Sequence, residues 1–170
     1  MRTVRNIRRF EHLQEVLNTY GRGDPETIKA LIRLWLPGPR NVGFNIPQNK
    51  AWVEYSRPGA TRVWLKQYEK ENFFHWIRME LGKILENPIF PVVNVIGRDR
   101  LAQRLGEFTG ALDVVVNDLG GCGVRGRDAG GERGRVEWLT LDRLRDFAAW
   151  LRARGEWPED TRKPNNQKGE

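Results

Sequence analysis

Cysteine and histidine are scarce in this chain: Cys122 is the only cysteine, and His12 and His75 are the only histidines. A lone cysteine excludes an internal disulfide and a cluster of thiolate ligands, and it is typical of a reducing compartment. So few residues of these two types do not favour a zinc site. Neither histidine is near Cys122 in the sequence, so a catalytic cysteine-histidine pair is not favoured either. We therefore predict no metal and no cofactor.

Long apolar runs are also missing. No run approaches the roughly 18 residues that a membrane span requires, and the basic N-terminus lacks the apolar core of a secretory signal. We therefore expect a cytoplasmic protein with no membrane contact. The length and the balance of 39% hydrophobic and 30% charged residues predict one globular domain over residues 1–158. Residues 159–170 are polar and without periodicity, which predicts a loosely ordered tail.

The charge of the chain is unevenly distributed. Residues 1–100 contain 17 Lys and Arg against 10 Asp and Glu, whereas residues 101–170 contain 12 of each. The whole net charge of +7 therefore lies in the N-terminal part. A basic excess confined to one part of a chain indicates where a polyanion would bind.

The N-terminal part predicts a pair of helices, a central β-hairpin and a long helix. The first helix is expected over residues 9–20, and the second begins at Asp24, which is followed by a proline and an acid in the first turn. Residues 40–49 show no helical period. The hairpin strands are expected over residues 51–56 and 61–66, joined by a turn containing Pro-Gly. The long helix is expected from about residue 67 to the Asn-Pro pair at 87 and 88.

The C-terminal part predicts a small mixed sheet closed by a C-terminal helix. Residues 89–96 and 112–117 are apolar runs typical of buried strands, with a helical period over residues 98–108 between them. A last strand is expected over residues 135–139, and Thr140 caps a helix that extends through Arg154. With the N-terminal elements, these segments predict an α+β or α/β fold.

A glycine-rich stretch over residues 119–134 contains seven glycines in sixteen positions. It matches neither the spacing of a phosphate-binding loop nor that of a dinucleotide-binding fingerprint. We predict a flexible loop without packing of its own, which acts either as a non-specific tether or as a mobile cover over a bound nucleic acid or substrate.

These features favour a non-catalytic nucleic-acid-binding protein. Strand alternation places Arg62, Trp64 and Lys66 on one face of the hairpin, with Trp64 predicted to be accessible. Cations interleaved with exposed aromatic rings favour single strands or RNA, because phosphates bind the cations and bases stack on the rings. The predicted binding residues lie in the N-terminus, the hairpin and the glycine-rich loop: Arg2, Arg5, Arg8, Arg9, Lys50, Trp52, Arg57, Arg62, Trp64, Lys66, Arg125 and Arg127.

Two other functions stay open. An accessory or inhibitory protein would bind a protein partner, with Trp150 and Trp157 as anchors off the core stripe of the last helix. A Mg²⁺-dependent nuclease would need Asp113, Asp118 and Glu137 to converge at one end of a sheet. Because Asp113 and Asp118 are five residues apart, a regular strand points them to opposite faces, and this spacing argues against a shared site.

Overall fold

The computed structural model describes residues 3–56, 61–127 and 133–158, which together form a mixed α+β fold. These residues contain six α-helices and two three-stranded antiparallel sheets, so the predicted fold class is confirmed. The chain divides into two compact units, Met1–Gly82 and Lys83–Glu170, and one domain over residues 1–158 stays a prediction. None of the helices within the described ranges is both long and apolar enough to cross a bilayer.

The two N-terminal helices, α1 (Phe10–Asn18) and α2 (Pro25–Trp35), form as predicted. The side chain of Asp24 accepts a hydrogen bond from the backbone N–H of Thr27, which satisfies one of the free donors at the start of α2. Each helix buries a single apolar stripe. The buried apolar side chains are Phe10, Leu13, Val16 and Leu17 of α1 and Ile28, Leu31 and Ile32 of α2.

A charged residue, Arg22, is almost completely buried between these helices, with 1% of its surface exposed. Its Nε atom donates to the Thr27 hydroxyl oxygen at 3.1 Å and lies 3.7 Å from Asp24 Oδ1. The Thr27 hydroxyl in turn donates to Asp24 Oδ1 at 2.8 Å. Arg22 therefore fixes the connection between α1 and α2 to the capping residues of α2.

The first sheet consists of β1 (Asn41–Asn45), β2 (Lys50–Glu54) and β3 (Val63–Trp64), in that order and all antiparallel. The predicted hairpin is confirmed as the β2–β3 pair, and its turn at residues 57–60 lies outside the described residues. Strand β1 was not predicted; its Val42 and Gly43 are buried and both terminal asparagines are exposed.

Helix α3 (Gln67–Glu86) supplies much of the core of the first unit, as predicted. Its Phe73 and Phe74 rings lie 5.7 Å and 5.0 Å from the Phe10 ring of α1, centroid to centroid, and Phe10 also stacks with Phe44 of β1 at 6.0 Å. Val63 pairs with the buried Val53 and so lies on the core-facing side of the sheet, yet 51% of its surface is exposed because β3 is a short edge strand.

The turn between β1 and β2 is anchored by Asn49, which has a positive φ of 54°. Its side-chain oxygen accepts from the backbone N–H of Phe10 at 2.9 Å, and its carbonyl oxygen accepts from Lys70 Nζ at 2.7 Å. This one residue therefore joins the sheet to both α1 and α3.

Residues 90–96 in the second unit are helical, so the buried strand predicted over residues 89–96 is wrong. They form a 3₁₀ turn over Phe90–Val92 and the short helix α4 (Val93–Ile96). A brief apolar run cannot be assigned to strand or helix by its periodicity alone. Here Val92 and Val93 are buried while Val95 is 60% exposed, which is the burial pattern of a helix with one face toward the core.

The next helix, α5 (Arg98–Thr109), forms as predicted. Gly110 follows it with a φ of 77°, the left-handed conformation that commonly ends a helix. Leu101 and Leu105 are its fully buried residues.

The second sheet consists of β4 (Val114–Val116), β5 (Cys122–Arg127) and β6 (Arg133–Trp138), and it is entirely antiparallel. The predicted mixed sheet is therefore corrected. Since residues 90–96 are helical, no parallel crossover arises at this place, and β4 instead pairs with the strand that follows it.

The prediction of an unstructured loop over residues 119–134 is also wrong for its described part. Residues 122–127 form β5, and Leu119, Gly120, Cys122 and Gly123 are all buried. Gly123 explains how a glycine-rich segment packs here: a β-carbon at this position would lie 2.4 Å from Val136 Cγ1 and 3.0 Å from Trp138 Cε3. The glycine therefore makes room for the larger side chains of β6. Residues 128–132 lie outside the described residues.

A tight connection between β4 and β5 is held by two asparagines. Asn117 Oδ1 accepts from the backbone N–H groups of Leu119 and Gly121 at 2.9 Å and 2.8 Å. Asn87, at the end of α3, donates from Nδ2 to the carbonyl of Gly120 at 2.7 Å. Gly120 itself has a φ of 88°.

The last helix, α6 (Leu141–Ala153), confirms the predicted cap, because the Thr140 hydroxyl oxygen accepts from the backbone N–H of Arg143 at 3.3 Å. Gly155 follows with a φ of 73°, as expected for a helix end. The helix closes the core of the second unit with four buried residues: Leu144, Phe147, Ala148 and Leu151. The predicted tail at residues 159–170 lies outside the described residues.

Cys122 is buried in that core, with 1% of its surface exposed, and burial raises the pKa of its thiol to about 12. We expect a thiol-directed reagent at pH 8 to label the folded protein about 1000-fold more slowly than the urea-unfolded protein, because the thiolate is the reactive form. Equal labelling rates in the two states would contradict this placement.

The same burial makes stability depend on pH. The pKa of Cys122 is higher in the folded state than in the unfolded state, so the folded state holds this proton more tightly. The contribution of this protonated thiol to the free energy of unfolding is fully present below about pH 9 and is lost as the pH rises toward 12. Urea unfolding across this range should show the loss in the wild type and a smaller loss in Cys122→Ala.

Candidate nucleic-acid interface

The pairing register of the first sheet places two tryptophans side by side on one face. Trp52 is opposite Gly43 on one side and opposite Trp64 on the other, and directly paired residues of antiparallel strands share a face. Lys50 lies two residues before Trp52 on β2, so it shares this face as well. The core-facing side of the sheet carries Val42, Ala51 and Val53 instead.

Trp52 is partly enclosed by its neighbours. Its indole lies directly over Gly43, where an added β-carbon would stand 2.3 Å from the ring atoms. The guanidinium of Arg62 lies over the ring, with Cζ 4.0 Å from its centroid. Such a cation–π contact contributes about 0.5–2 kcal/mol. Both residues were predicted to bind nucleic acid, and in this structure they bind each other.

Trp64 is the more accessible ring of the pair, with 51% of its surface exposed as predicted. Lys50 Nζ lies 5.6 Å from the centroid of this ring. An aromatic surface next to an exposed ammonium group is the arrangement that lets a base stack while its phosphate pairs with a cation.

One carboxylate also lies on this face. Glu54 Oε1 accepts hydrogen bonds from Asn41 Nδ2 at 2.8 Å and from Arg40 Nη2 at 2.9 Å. The hydrogen bond from Asn41, followed by that from Arg40, lowers the pKa of Glu54. The carboxylate therefore stays ionised at neutral pH; it compensates the charge of Arg40 and part of that of Arg62, and Lys50 is the cation beside Trp64.

Lys66 follows two residues after Trp64 and is exposed at the beginning of α3. Its backbone N–H donates to Glu69 Oε1 at 2.7 Å, which caps the helix. The predicted alternation of Arg62, Trp64 and Lys66 therefore ends at Trp64, where β3 ends. Lys66 therefore lies at the edge of the sheet face that carries Trp52 and Trp64.

Three of the N-terminal arginines lie in a segment that is anchored to the folded unit. Arg5, Arg8 and Arg9 are exposed, but Ile7 between them is fully buried, and its carbonyl accepts from Arg78 Nη1 at 2.7 Å. Because Phe10 is hydrogen-bonded to Asn49, the backbone at Arg9 comes close to the backbone at Lys50. Arg2 and Arg57 lie outside the described residues.

The two predicted binding residues in the glycine-rich stretch belong to the second unit. Arg125 lies on β5, with Nε 3.5 Å from Asp113 Oδ2. Arg127 ends β5, where its backbone pairs with Arg133. The first unit carries 14 Lys and Arg against 8 Asp and Glu, a net charge of +6, and the second unit carries only +1.

The three acids of the nuclease hypothesis have different surroundings. Asp113 pairs with Arg125, whereas Asp118 Oδ1 lies 3.1 Å from Arg98 Nε. Glu137 is exposed on β6 opposite Val124. Across the described ranges, no group of three or more His, Cys, Asp or Glu residues is arranged to hold a metal ion.

Trp150 and Trp157, the predicted protein anchors, both pack against the core of the second unit. The Trp150 ring stacks with Phe147 at 6.1 Å, and Arg154 and Arg152 cover Trp150 and Trp157 at 4.5 Å and 4.2 Å. Trp138, which was not predicted, is 51% exposed on β6. If the glycine-rich stretch had been predicted to form a strand, the alternation of buried and exposed positions along β5 and its partner β6 could have identified Trp138 as an exposed residue.

A scan of protein-family models and searches of curated proteins and of solved structures gave no match for this chain. Function is therefore inferred from the surface itself.

Proposed function

We propose that this protein binds single-stranded nucleic acid, without catalysis, through the polar face of its first sheet. The observation that carries the proposal is the juxtaposition of Trp64, half exposed, with Lys50 and with the Trp52–Arg62 pair on one face. A single strand presents unpaired bases and phosphates together, and it therefore matches a surface of rings and cations better than a duplex does.

Electrostatics supports the same proposal. The unit that carries this face has a net charge of +6, and such a field attracts polyanions and speeds their association. Arg9, whose backbone lies close to that of Lys50, adds an exposed cation there; its ion pair with Glu11 at 3.6 Å is exposed on both sides and therefore weak. Binding should therefore weaken steeply as the salt concentration rises.

The stacking contribution is tested with Trp64→Ala. Loss of one base-stacking ring costs about 1–3 kcal/mol, so we expect the affinity for a labelled 12-nucleotide single strand to fall about 5- to 150-fold. The dependence of affinity on salt should stay unchanged, since no cation is removed. Trp138→Ala, which removes a ring of equal exposure from the second unit, is the matched control. Equal affinity of the two variants would contradict the proposed site.

The phosphate contacts are tested with the double variant Lys50→Ala, Lys66→Ala. Each phosphate contact to a single strand contributes about 0.7 to the slope of log K against log salt, so the slope should decrease by about 1.4. The double variant Arg135→Ala, Arg145→Ala removes the same charge from exposed positions of the second unit. Identical slopes for the two double variants would mean that the effect is one of net charge, not of this surface.

Protein binding is a second candidate, and one observation favours it. Leu112 and Trp138 of the second unit are large apolar residues with 104% and 51% relative exposure. Exposed tryptophans are enriched among the residues that contribute most to protein–protein binding. A partner on the second unit would bind with little dependence on salt, and Trp138→Ala would weaken it while leaving nucleic-acid binding unchanged.

A further inference from the structure

An open pocket of about 510 Å³ lies beside Trp52 in the first unit. Two segments form its walls: the beginning of α2, with Pro25 and Lys29, and the end of β1 with the turn that follows. Its volume falls within the about 300–1,000 Å³ that is usual for sites of small molecules.

The pocket has apolar walls and a cationic rim. Phe44, Ile46, Pro47 and the indole of Trp52 supply flat or branched apolar surface. Lys29 Nζ lies 3.5 Å from Glu26 Oε2, but 74% of the Glu26 side chain is exposed, so water weakens this pair. The ammonium group can therefore turn toward an anion at little cost. A planar ring joined to a phosphate fits this combination of walls and charge.

Trp52 belongs to both the pocket and the sheet surface. Gly43, Trp52 and Trp64 form a row across three strands, and with strands about 4.8 Å apart the row is about 10 Å long. A chain that lies across the strands would therefore reach the Trp64 ring at one end and the pocket at the other.

We propose that the pocket binds a nucleobase together with its phosphate, while a neighbouring base of the same strand stacks on Trp64. This inference rests on the proposed function and deepens it, because it assigns a second base subsite and a path of the bound strand across the sheet. The same chemistry could be supplied by an internal base of a strand or by a free nucleotide.

The test fills the pocket. Ile46→Trp, or the milder Ile46→Phe, adds a ring to the wall, and Leu34→Trp adds the same ring at a 52% exposed position of α2 outside the pocket. Affinity for fluorescein-labelled tetra-adenylate is measured for each variant, after urea unfolding has shown that the variant is folded. We expect both pocket variants to bind about tenfold more weakly and Leu34→Trp to bind like the wild type. Lys29→Ala should lower the salt slope by about 0.7.

Free AMP distinguishes the two sources. If AMP displaces tetra-adenylate from the wild type, the pocket takes a free nucleotide; if AMP does not compete while the pocket variants are still weakened, it takes a base within a strand. Tetra-adenylate binding by Ile46→Trp and Ile46→Phe at wild-type affinity would overturn the inference, and would be expected if the pocket received an apolar side chain of a protein. Failure of the proposed function looks different, because the wild type would then bind no single strand even at low salt.

Discussion

Replacing Gly120 by alanine is expected to lower the free energy of unfolding by about 3 kcal/mol. Two costs combine at this position. Its φ of 88° is rarely adopted by residues with a side chain, and an added β-carbon would lie 2.7 Å from the backbone nitrogen of Phe90 and 2.9 Å from its Cα atom. Because these neighbours are backbone atoms, they cannot move aside as a flexible side chain could. Urea unfolding followed by circular dichroism measures the loss.

Two other glycines separate these costs. Gly110 has a φ of 77° and nothing within 4 Å of an added β-carbon, so Gly110→Ala should cost only the about 1–2 kcal/mol of the left-handed conformation. Gly126 has neither a positive φ nor a close neighbour, and Gly126→Ala should be neutral or slightly stabilising. If Gly120→Ala costs no more than Gly110→Ala, the contact with Phe90 is not the constraint described above.

Arg22→Ala is expected to lower the free energy of unfolding by about 2–4 kcal/mol. The substitution empties the space of a large side chain that is 1% exposed, and it removes the donor to Thr27 and the charge beside Asp24. Arg22→Met keeps most of the side-chain volume but removes the charge. Comparing its free energy of unfolding with that of Arg22→Ala therefore separates the contribution of packing from that of the polar contacts. Arg33→Ala, at an exposed position of α2, should change stability by less than about 0.5 kcal/mol. A similarly small change for Arg22→Ala would contradict the burial of this guanidinium.

Elements with strong local signals could be predicted from the sequence. The caps at Asp24 and Thr140 and the glycines that follow α5 and α6 act within a few residues of themselves, so their chemistry is visible in the chain. The long helix α3 and the β2–β3 hairpin were predicted for the same reason. The helical conformation of residues 90–96 was not predicted. Distant residues pack against this short apolar run, and they decide which of its sides is buried.

Glycine was the main source of error in the second unit. Seven glycines suggested a segment that cannot pack, yet Gly123 is buried because the side chains of β6 occupy the space above it. The partner strand is ten or more residues away in the sequence, and nothing local to Gly123 reveals it. In the same way, the burial of Arg22 depends on Thr27 and on the packing of two helices, and the sequence showed only an arginine between two glycines.

For the candidate site, the sequence could predict the neighbourhood but not the contacts. Hairpin pairing was sufficient to bring Lys50, Trp52 and Trp64 to one face. The stacking of Arg62 on Trp52 depends on side-chain rotamers, and the pocket depends on the approach of α2 to β1. Neither is encoded in a local pattern.

Gly43 is expected to be conserved for as long as Trp52 is present. Its φ lies outside the left-handed region, so the backbone does not require a glycine at this position. The requirement comes from the indole of Trp52, which occupies the space that any other residue would fill. In descendants of this chain, position 43 should therefore accept a larger residue only where Trp52 has also been replaced.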